Sequence, residues 1–297
     1  MNRLRSERGQ AAVLTVLFMV VLLGAVALTL DVGSWFRAQR ATQSAADAAA
    51  LAGAHALPDD PGEAEVLAAE YLDKNEGGVA DVTFPSGTSA ISVRVERTTP
   101  GIFAKVFGID SVDVAAKATA RVGNPSAVKW AAPIAVDEKH PMLHCSPTPC
   151  WGTPTRLDLD KVGPGAFRLI NIDGSHGGTG PDTLENWILR GFDGWMPLNW
   201  YYSDAGAKFN SSQVKDAMNI RLGEEMLFPV YTSTRESGSN FEYKVIGWVG
   251  YVVTSYQIKG SKDAQLDGYF TKVIWEGILN ESAGSEDFGV SSIELVE

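Results

Sequence analysis

Residues Arg8–Leu57 read RGQAAVLTVLFMVVLLGAVALTLDVGSWFRAQRATQSAADAAALAGAHAL, and the reading of this stretch decides the rest of the fold. From Ala11 to Leu30, through Val13, Leu17 and Gly24, there is no charged residue. At 1.5 Å per residue a helix of that length covers about 30 Å, the hydrocarbon thickness of a bilayer. A secretory signal peptide has a shorter apolar region, about 7–15 residues, with a small-residue cleavage site after it. Here the run is longer, and Asp31, Trp35, Arg37 and Arg40 follow with no turn signal. The stretch therefore reads as a retained membrane anchor, with a cleaved signal as the alternative. Arg3, Arg5 and Arg8 precede the span, and Trp35 and Phe36 suit the membrane interface. By the positive-inside rule the N-terminus is expected in the cytoplasm and the bulk of the chain outside, on a single-pass protein of the cell membrane.

Helical character continues beyond the bilayer. No proline occurs between Asp31 and Leu57, so one helix of about 47 residues would run ~70 Å, its outer part rich in alanine, the best helix former. Ala41, Ala45, Ala48, Ala52 and Ala56 form a small-residue stripe that another helix could approach closely. Inside the span Ala25, Thr29 and Gly33 make a further small-residue row. The competing reading is that the stripe packs on the protein's own outer domain and the row faces lipid.

This N-terminal region resembles the TadE/TadG-like proteins of the Flp (tight adherence) pilus assembly system. The residues that carry the resemblance are Arg8-Gly9-Gln10 before the span, Asp31 and Gly33 at its exit, Arg37 and Arg40, Gln43, and the run Ala46-Asp47-Ala48-Ala49-Ala50-Leu51-Ala52-Gly53-Ala54. It is firm over about the first 57 residues and looser over the next sixty-odd. It implies a structural or assembly role, with other pilus or secretion proteins as partners through the helix; the lipid bilayer as a partner, the non-catalytic role and a second copy of the chain among the candidates are expectations from the residues themselves. Flp leaders are cut after a glycine that precedes a glutamate five residues on. The fifth residue after Gly9 is Leu14, so no processing is expected there.

Composition narrows the function further. The 297-residue chain carries 25 Lys and Arg against 36 Asp and Glu; setting aside Arg3, Arg5, Arg8 and Glu7 leaves a body of net charge −13. Such a body does not bind nucleic acid by counterion release, and anionic headgroups repel it, so membrane contact is assigned to the N-terminus. The two cysteines, Cys145 and Cys150, fit an oxidising compartment.

Outside the anchor region (residues 1–57), residues 58–124 read as a small α+β module near the membrane. A helix is expected from about Glu63 to Asn75 and a short strand near Asp81–Phe84. An alternating strand follows in AISVRVERT from Ala90, then a two-turn helix begun by Pro100 and a long strand SVDVAAKATARV from Ser111. Gly123–Ala127 reads as a linker. Residues 125–297 hold seven of the eight tryptophans and strand-like runs at Trp130–Val136, Ala166–Ile172, Met226–Tyr231, Tyr243–Tyr256 and Tyr269–Leu279. Helices are expected after Pro181 and Ser211, and the run Tyr243–Tyr256 is expected as a central strand covered on both faces. The fold class is α+β: a long N-terminal transmembrane helix, a small α+β module, then a mixed, mostly antiparallel sheet domain.

Four groups of side chains invite chemistry. His140, His144, Cys145 and Cys150 have the composition of a zinc set, but the cysteines flank Pro147 and Pro149 outside the membrane. A Cys145–Cys150 disulfide is preferred there, with zinc or free thiols as alternatives. Asp173-Gly174-Ser175-His176-Gly177 carries part of the metal motif of the von Willebrand factor A domains found in some TadG-like proteins, yet has glycine at the third ligand position. It reads as an exposed turn, with weak calcium binding by Asp173 and Asp182 as the alternative. Asp158 with Asp160 and Glu224 with Glu225 are acidic pairs whose ordinary fate is solvated surface. Trp195, Trp200, Tyr201 and Tyr202 could line a groove for a surface glycan or peptide, against the commoner fate of core and sheet-edge packing. No hydrolase motif is present in the sequence, so neither a catalytic residue nor a metal or cofactor is assigned.

Overall fold

The computed structural model describes residues 7–75, 77–145, 150–159, 166–176, 179–204, 209–237, 240–259, 263–279 and 285–296. Of the residues singled out above, Arg3, Arg5, Pro147, Pro149, Asp160 and Gly177 lie outside these. The chain forms two compact units, Met1–Arg121 with Leu295–Glu297, and Val122–Glu294.

The first unit is built on α1, Glu7–Ala54, which runs unbroken through the apolar stretch and the alanine-rich extension. A turn and the Leu57–Pro58 peptide end it, and α2, Pro61–Lys74, returns along it. Asp60 caps α2 by accepting from the Glu63 N–H, and Pro61 occupies the first helical position, where its missing N–H costs nothing. Ala64, Ala68 and Leu72, one helical turn apart, are its buried stripe. Four strands follow: β1 Val79–Thr83, β2 Pro85–Thr88, β3 Ala90–Pro100 and β4 Ser111–Gly123. β3 lies between β1 and β4, antiparallel to both. The alternation read from the sequence sets the buried face: Ile91, Val93 and Val95 of β3 stand opposite Ala120, Ala118 and Ala116 of β4. Against this face and α2 packs the outer half of α1, so that half of the helix, α2 and the β3–β4 pair share one core.

The expected two-turn helix after Pro100 is a correction. Only a single 3-10 turn forms, Ala104–Phe107, ended by Gly108 in the left-handed region at φ 82°. The loop is held instead at its start, where Gly101 donates to the Asp110 carbonyl and closes the β3–β4 connection.

The second unit contains β5 Pro125–Val128, β6 Ile134–Asp137, β7 Thr155–Leu159, β8 Ala166–Leu169, β9 Met196–Pro197 and β10 Trp200–Tyr202. It continues with β11 Glu225–Ser237, β12 Asn240–Ile258, β13 Ala264–Thr271, β14 Val273–Ile274, β15 Gly277–Leu279 and β16 Val290–Val296, with helices α3 Pro181–Arg190 and α4 Ser212–Ile220. The assumed linker is therefore a second correction: Pro125–Val128 is a strand, paired with β15 on one side and β9 on the other. Proline at the first strand position lacks only an N–H that the ladder does not need there. The run Trp130–Val136 becomes strand only from Ile134; before it, Trp130 takes a left-handed φ of 60° and Ala131 makes isolated bridges to Phe192 and Leu227. The run Tyr269–Leu279 is divided among three strands.

Hydrogen-bonded neighbours run β12–β11–β6–β8–β7–β13 and return to β12, which closes a six-stranded barrel. Only β11–β6 and β7–β8 are parallel within it. Its interior is filled by large side chains, among them Phe167, Phe228, Tyr251 and Phe270, with rings of Phe228 and Tyr251 stacked at 5.3 Å. Leu184 and Ile188 of α3 and Val214 and Met218 of α4 belong to the same cluster. The outer side of β12 is buried too, where Val245 and Trp248 meet Trp187, Met196, Tyr201 and Val273. β12 is thus the strand covered on both faces that its unbroken apolar run announced.

Candidate functional site

The strongest candidate site is α1 and what holds it. Ala11–Leu30 is exposed except for half-buried Ala27, and this helix is long and apolar enough to cross a membrane. Val13, Leu17, Gly24 and Leu30 all present themselves to the surroundings, and nothing lies within 4 Å of a Cβ built on Gly24 or Gly33.

At the end of the uncharged run stands Asp31, 1% exposed. Its carboxylate accepts hydrogen bonds from the backbone N–H groups of Ile102 (2.8 Å), Phe103 (2.9 Å) and Ala104. A carboxylate withdrawn from water needs such donors, and three amides at the start of a helical turn are well suited to an anion. Further along α1, Gln39 Nε2 donates to the Ala115 carbonyl at 2.8 Å. Gln43 Nε2 donates to the Lys117 carbonyl at 3.3 Å and to Asp47 Oδ1 at 2.7 Å. Four helical residues rise about 6 Å and two strand residues about 6.6 Å, so helix and β4 advance together in one direction. The role of Asp31 was missed in the sequence. Its signal was an acidic residue placed immediately after an uncharged span, with no nearby basic side chain to pair with.

The alanine stripe lies partly within this packing. Ala45 and Ala52 are buried, while Ala41, Ala48 and Ala56 are half-buried; the fully buried face is centred on Ala46, Ala49 and Ala50. Gly53 sits where the backbones come closest, since a Cβ there would lie 2.8 Å from the Ala64 carbonyl oxygen and 2.5 Å from Ile91 Cδ1. Ala41 also lines an open cleft of about 930 Å³ beside Arg37, Val79, Glu96, Thr98 and Asp113.

The other sequence candidates lie in the second unit. Cys145 and Cys150 form a disulfide, Cα–Cα 5.6 Å, which takes both thiolates out of any zinc set. His140 is buried, accepts from the Met142 N–H through Nδ1 (3.2 Å), and packs edge-on against Phe270 at 4.9 Å. Burial pushes its pKa below the ordinary histidine value, so it is held neutral. His144 Nε2 is bonded to the Glu138 carbonyl. Among the described residues no cluster of His, Cys, Asp or Glu has the arrangement of a metal site. Asp173 accepts from the Ser175 N–H at 2.9 Å, the local bond of an Asx turn.

The four aromatic residues do not share one surface. Tyr201 is 3% exposed, in the core, and its hydroxyl donates to the Pro197 carbonyl at 2.6 Å. Side chains alternate along β10, so Trp200 and Tyr202 face the other way. The Arg235 guanidinium covers Trp200 at 4.3 Å, and the His176 ring packs on Tyr202 at 4.1 Å. Glu242 is buried between them, and hydrogen bonds from Arg235 and Tyr202 hold its carboxyl below the usual range. Trp195 stands apart, with Lys129 4.9 Å over its ring.

Residues 9–56 match the family model described as putative Flp pilus-assembly TadE/G-like. The match coincides almost residue for residue with α1. No curated protein and no solved structure matches the chain.

Proposed function

We propose that the protein is a fixed, single-pass component of a Flp-type pilus or secretion apparatus, anchored by α1 and acting through protein contacts instead of catalysis. The observation that carries this reading is the coincidence of the TadE/G-like match over residues 9–56 with a helix exposed and uncharged from Ala11 to Leu30. The basic tip and the Cys145–Cys150 disulfide support an N-terminus in the cytoplasm, with residues 58–124 as a membrane-proximal module and 125–297 as an exported domain. Ala41, Ala48 and Ala56, left half-buried, are the part of the stripe available to another helix, whether of a pilus protein or of a second copy. Residues Ala11, Val13, Leu17, Gly24 and Leu30 face lipid in this reading.

The test is made in cells that assemble Flp fibres from a locus encoding this chain. Deleting the gene is expected to abolish surface fibres, and the full chain to restore them while itself staying with the membrane after shearing. Recovery of the chain in sheared fibres, with a mature N-terminus at Gln10, would show a fibre subunit and sink the reading. Protease added from outside is expected to reach Lys259 but not Arg5.

A further inference from the structure

The apolar helix is not the only part of the first unit with unpartnered apolar surface. The β3–β4 loop, reading GIFAKVFGI from Gly101, leaves Ile102 60%, Val106 84% and Phe107 79% exposed, with Phe103 and Ile109 also exposed. Five large apolar side chains in eight residues make a contiguous patch of a kind that soluble surfaces avoid, and one that marks contact with something.

The hydrogen bonds along α1 fix the height of this loop. Gln39 is level with Ala115 and Gln43 with Lys117, so β4 descends toward the apolar end of α1 as it is followed back from Lys117 to Ser111. Asp31, the first charged residue after the span, holds Ile102, Phe103 and Ala104 by their N–H groups. It lies eight residues before Gln39, about 12 Å lower on the helix. The loop therefore sits at the level where the uncharged run ends, and its apolar patch continues the apolar surface of the span. Phe36, 66% exposed, stands about 7.5 Å further out on α1.

We propose that the loop Gly101–Ile109 is a second membrane contact, an interfacial wedge whose Ile102, Phe103, Val106 and Phe107 enter the outer headgroup and upper acyl region of the bilayer. The occupant is lipid. Continuity with the span favours it over a protein partner, and Lys105 in mid-loop supplies a charge that suits headgroup phosphates while its stem lies along apolar surface. The function of Asp31 follows: it ties the wedge to the anchor, so that the collar of β-strands stands at a set height and tilt above the membrane. One transmembrane helix fixes neither the tilt nor the rotation of what it carries, whereas a helix plus an off-axis wedge restrains both.

The inference rests on α1 spanning the bilayer, and the experiment separates the two. The full chain carrying Val106→Cys, Ser86→Cys or Leu22→Cys, labelled without reductant by an environment-sensitive fluorophore, is placed one copy per nanodisc of phosphatidylcholine and phosphatidylglycerol containing doxyl lipid. Ser86 precedes Ala90, the end of β3 paired with Arg121 and farthest from the loop, and so serves as the aqueous reference. The label at 106 is expected to be quenched by lipid about threefold or more over the label at 86, with blue-shifted emission, and the label at 22 more strongly still. A label at 106 as aqueous as that at 86, with 22 embedded, overturns the wedge alone and leaves a protein partner as the occupant. A label at 22 in water overturns the anchor and the wedge with it.

Discussion

The two units solve the packing problem with opposite materials. The first is assembled from small residues: Ala45, Ala46, Ala49 and Ala50 of α1 against Ala64 and Ala68 of α2, and Ala116, Ala118 and Ala120 on the buried face of β4. The second encloses Phe167, Phe228, Tyr251 and Phe270 inside a closed barrel. Small side chains bring backbones close but remove little apolar area, so position must come from polar bonds of fixed length. Asp31, Gln39 and Gln43 are those bonds in the first unit. In the barrel, strand closure and interlocking rings set position, and polar bonds such as those of Tyr251 to the Thr155 and Leu266 carbonyls are added to them. A unit that must hold a helix at a definite height has reason to use the first solution.

The contrast is sharpest where a large group is removed. Phe228→Ala is expected to cost about 3–5 kcal/mol, because the stacked Tyr251 ring loses its partner and the closed barrel cannot collapse on the gap. Tryptophan emission during urea titration of the detergent-solubilised chain reads this directly, since seven of eight tryptophans lie in residues 130–297. Asp31→Ala comes next, at about 2–4 kcal/mol, since it leaves three N–H groups without their acceptor. Its effect is local, so the measurement is the rate of tryptic cleavage after Lys105, expected to rise steeply, with Asp31→Asn in between. Unchanged cleavage would mean that the loop is held by something other than this carboxylate.

Adding volume should reverse the pattern. Gly53→Val, at the closest approach of α1 and α2, is expected to destabilise the first unit by about 1–3 kcal/mol, seen as an earlier loss of helical circular dichroism. Gly24→Val, in the open apolar stretch, is the control and should leave the signal unmoved. Were Gly53→Val tolerated as well as Gly24→Val, the close-packed description of the alanine core would be wrong.

Periodicity made the first unit legible: the uncharged run, the proline-free extension and the alternation of Ile91, Val93 and Val95 are local signals, and the elements appear where they stand. The barrel was only half legible. β12 declared itself by its apolar run, but closure of the barrel depends on β7, five residues in which the alternation of Leu157 and Leu159 with Arg156 and Asp158 is too short to stand out. β5 was hidden by its proline and serine. Most instructive is Asp31, whose residue type and position were visible but whose partners are backbone amides some seventy residues away. Backbone donors have no signature in a sequence, so sites made from them emerge only when the chain is folded.

The smallest effect expected is one of pH, and it falls on the barrel. His140 is buried against Phe270 with its pKa depressed by burial, whereas in the unfolded chain it titrates near the ordinary histidine value. Between those two values the unfolded state binds more protons, so stability rises with pH there and is lost as pH falls from neutrality through the histidine range. Asp267, held low by Arg156, and Glu242, held low by Arg235, stay charged in that window and lose their contribution only in stronger acid. Urea midpoints read by tryptophan emission at pH 7.5 and pH 5.5 should therefore differ in the native chain. His140→Gln should flatten that difference while lowering both midpoints. A native chain with equal midpoints would mean that His140 takes up a proton as readily in the fold as out of it, with the Thr155 hydroxyl at 3.4 Å from Nε2 and the nearby Asp137 carboxylate offsetting the effect of burial.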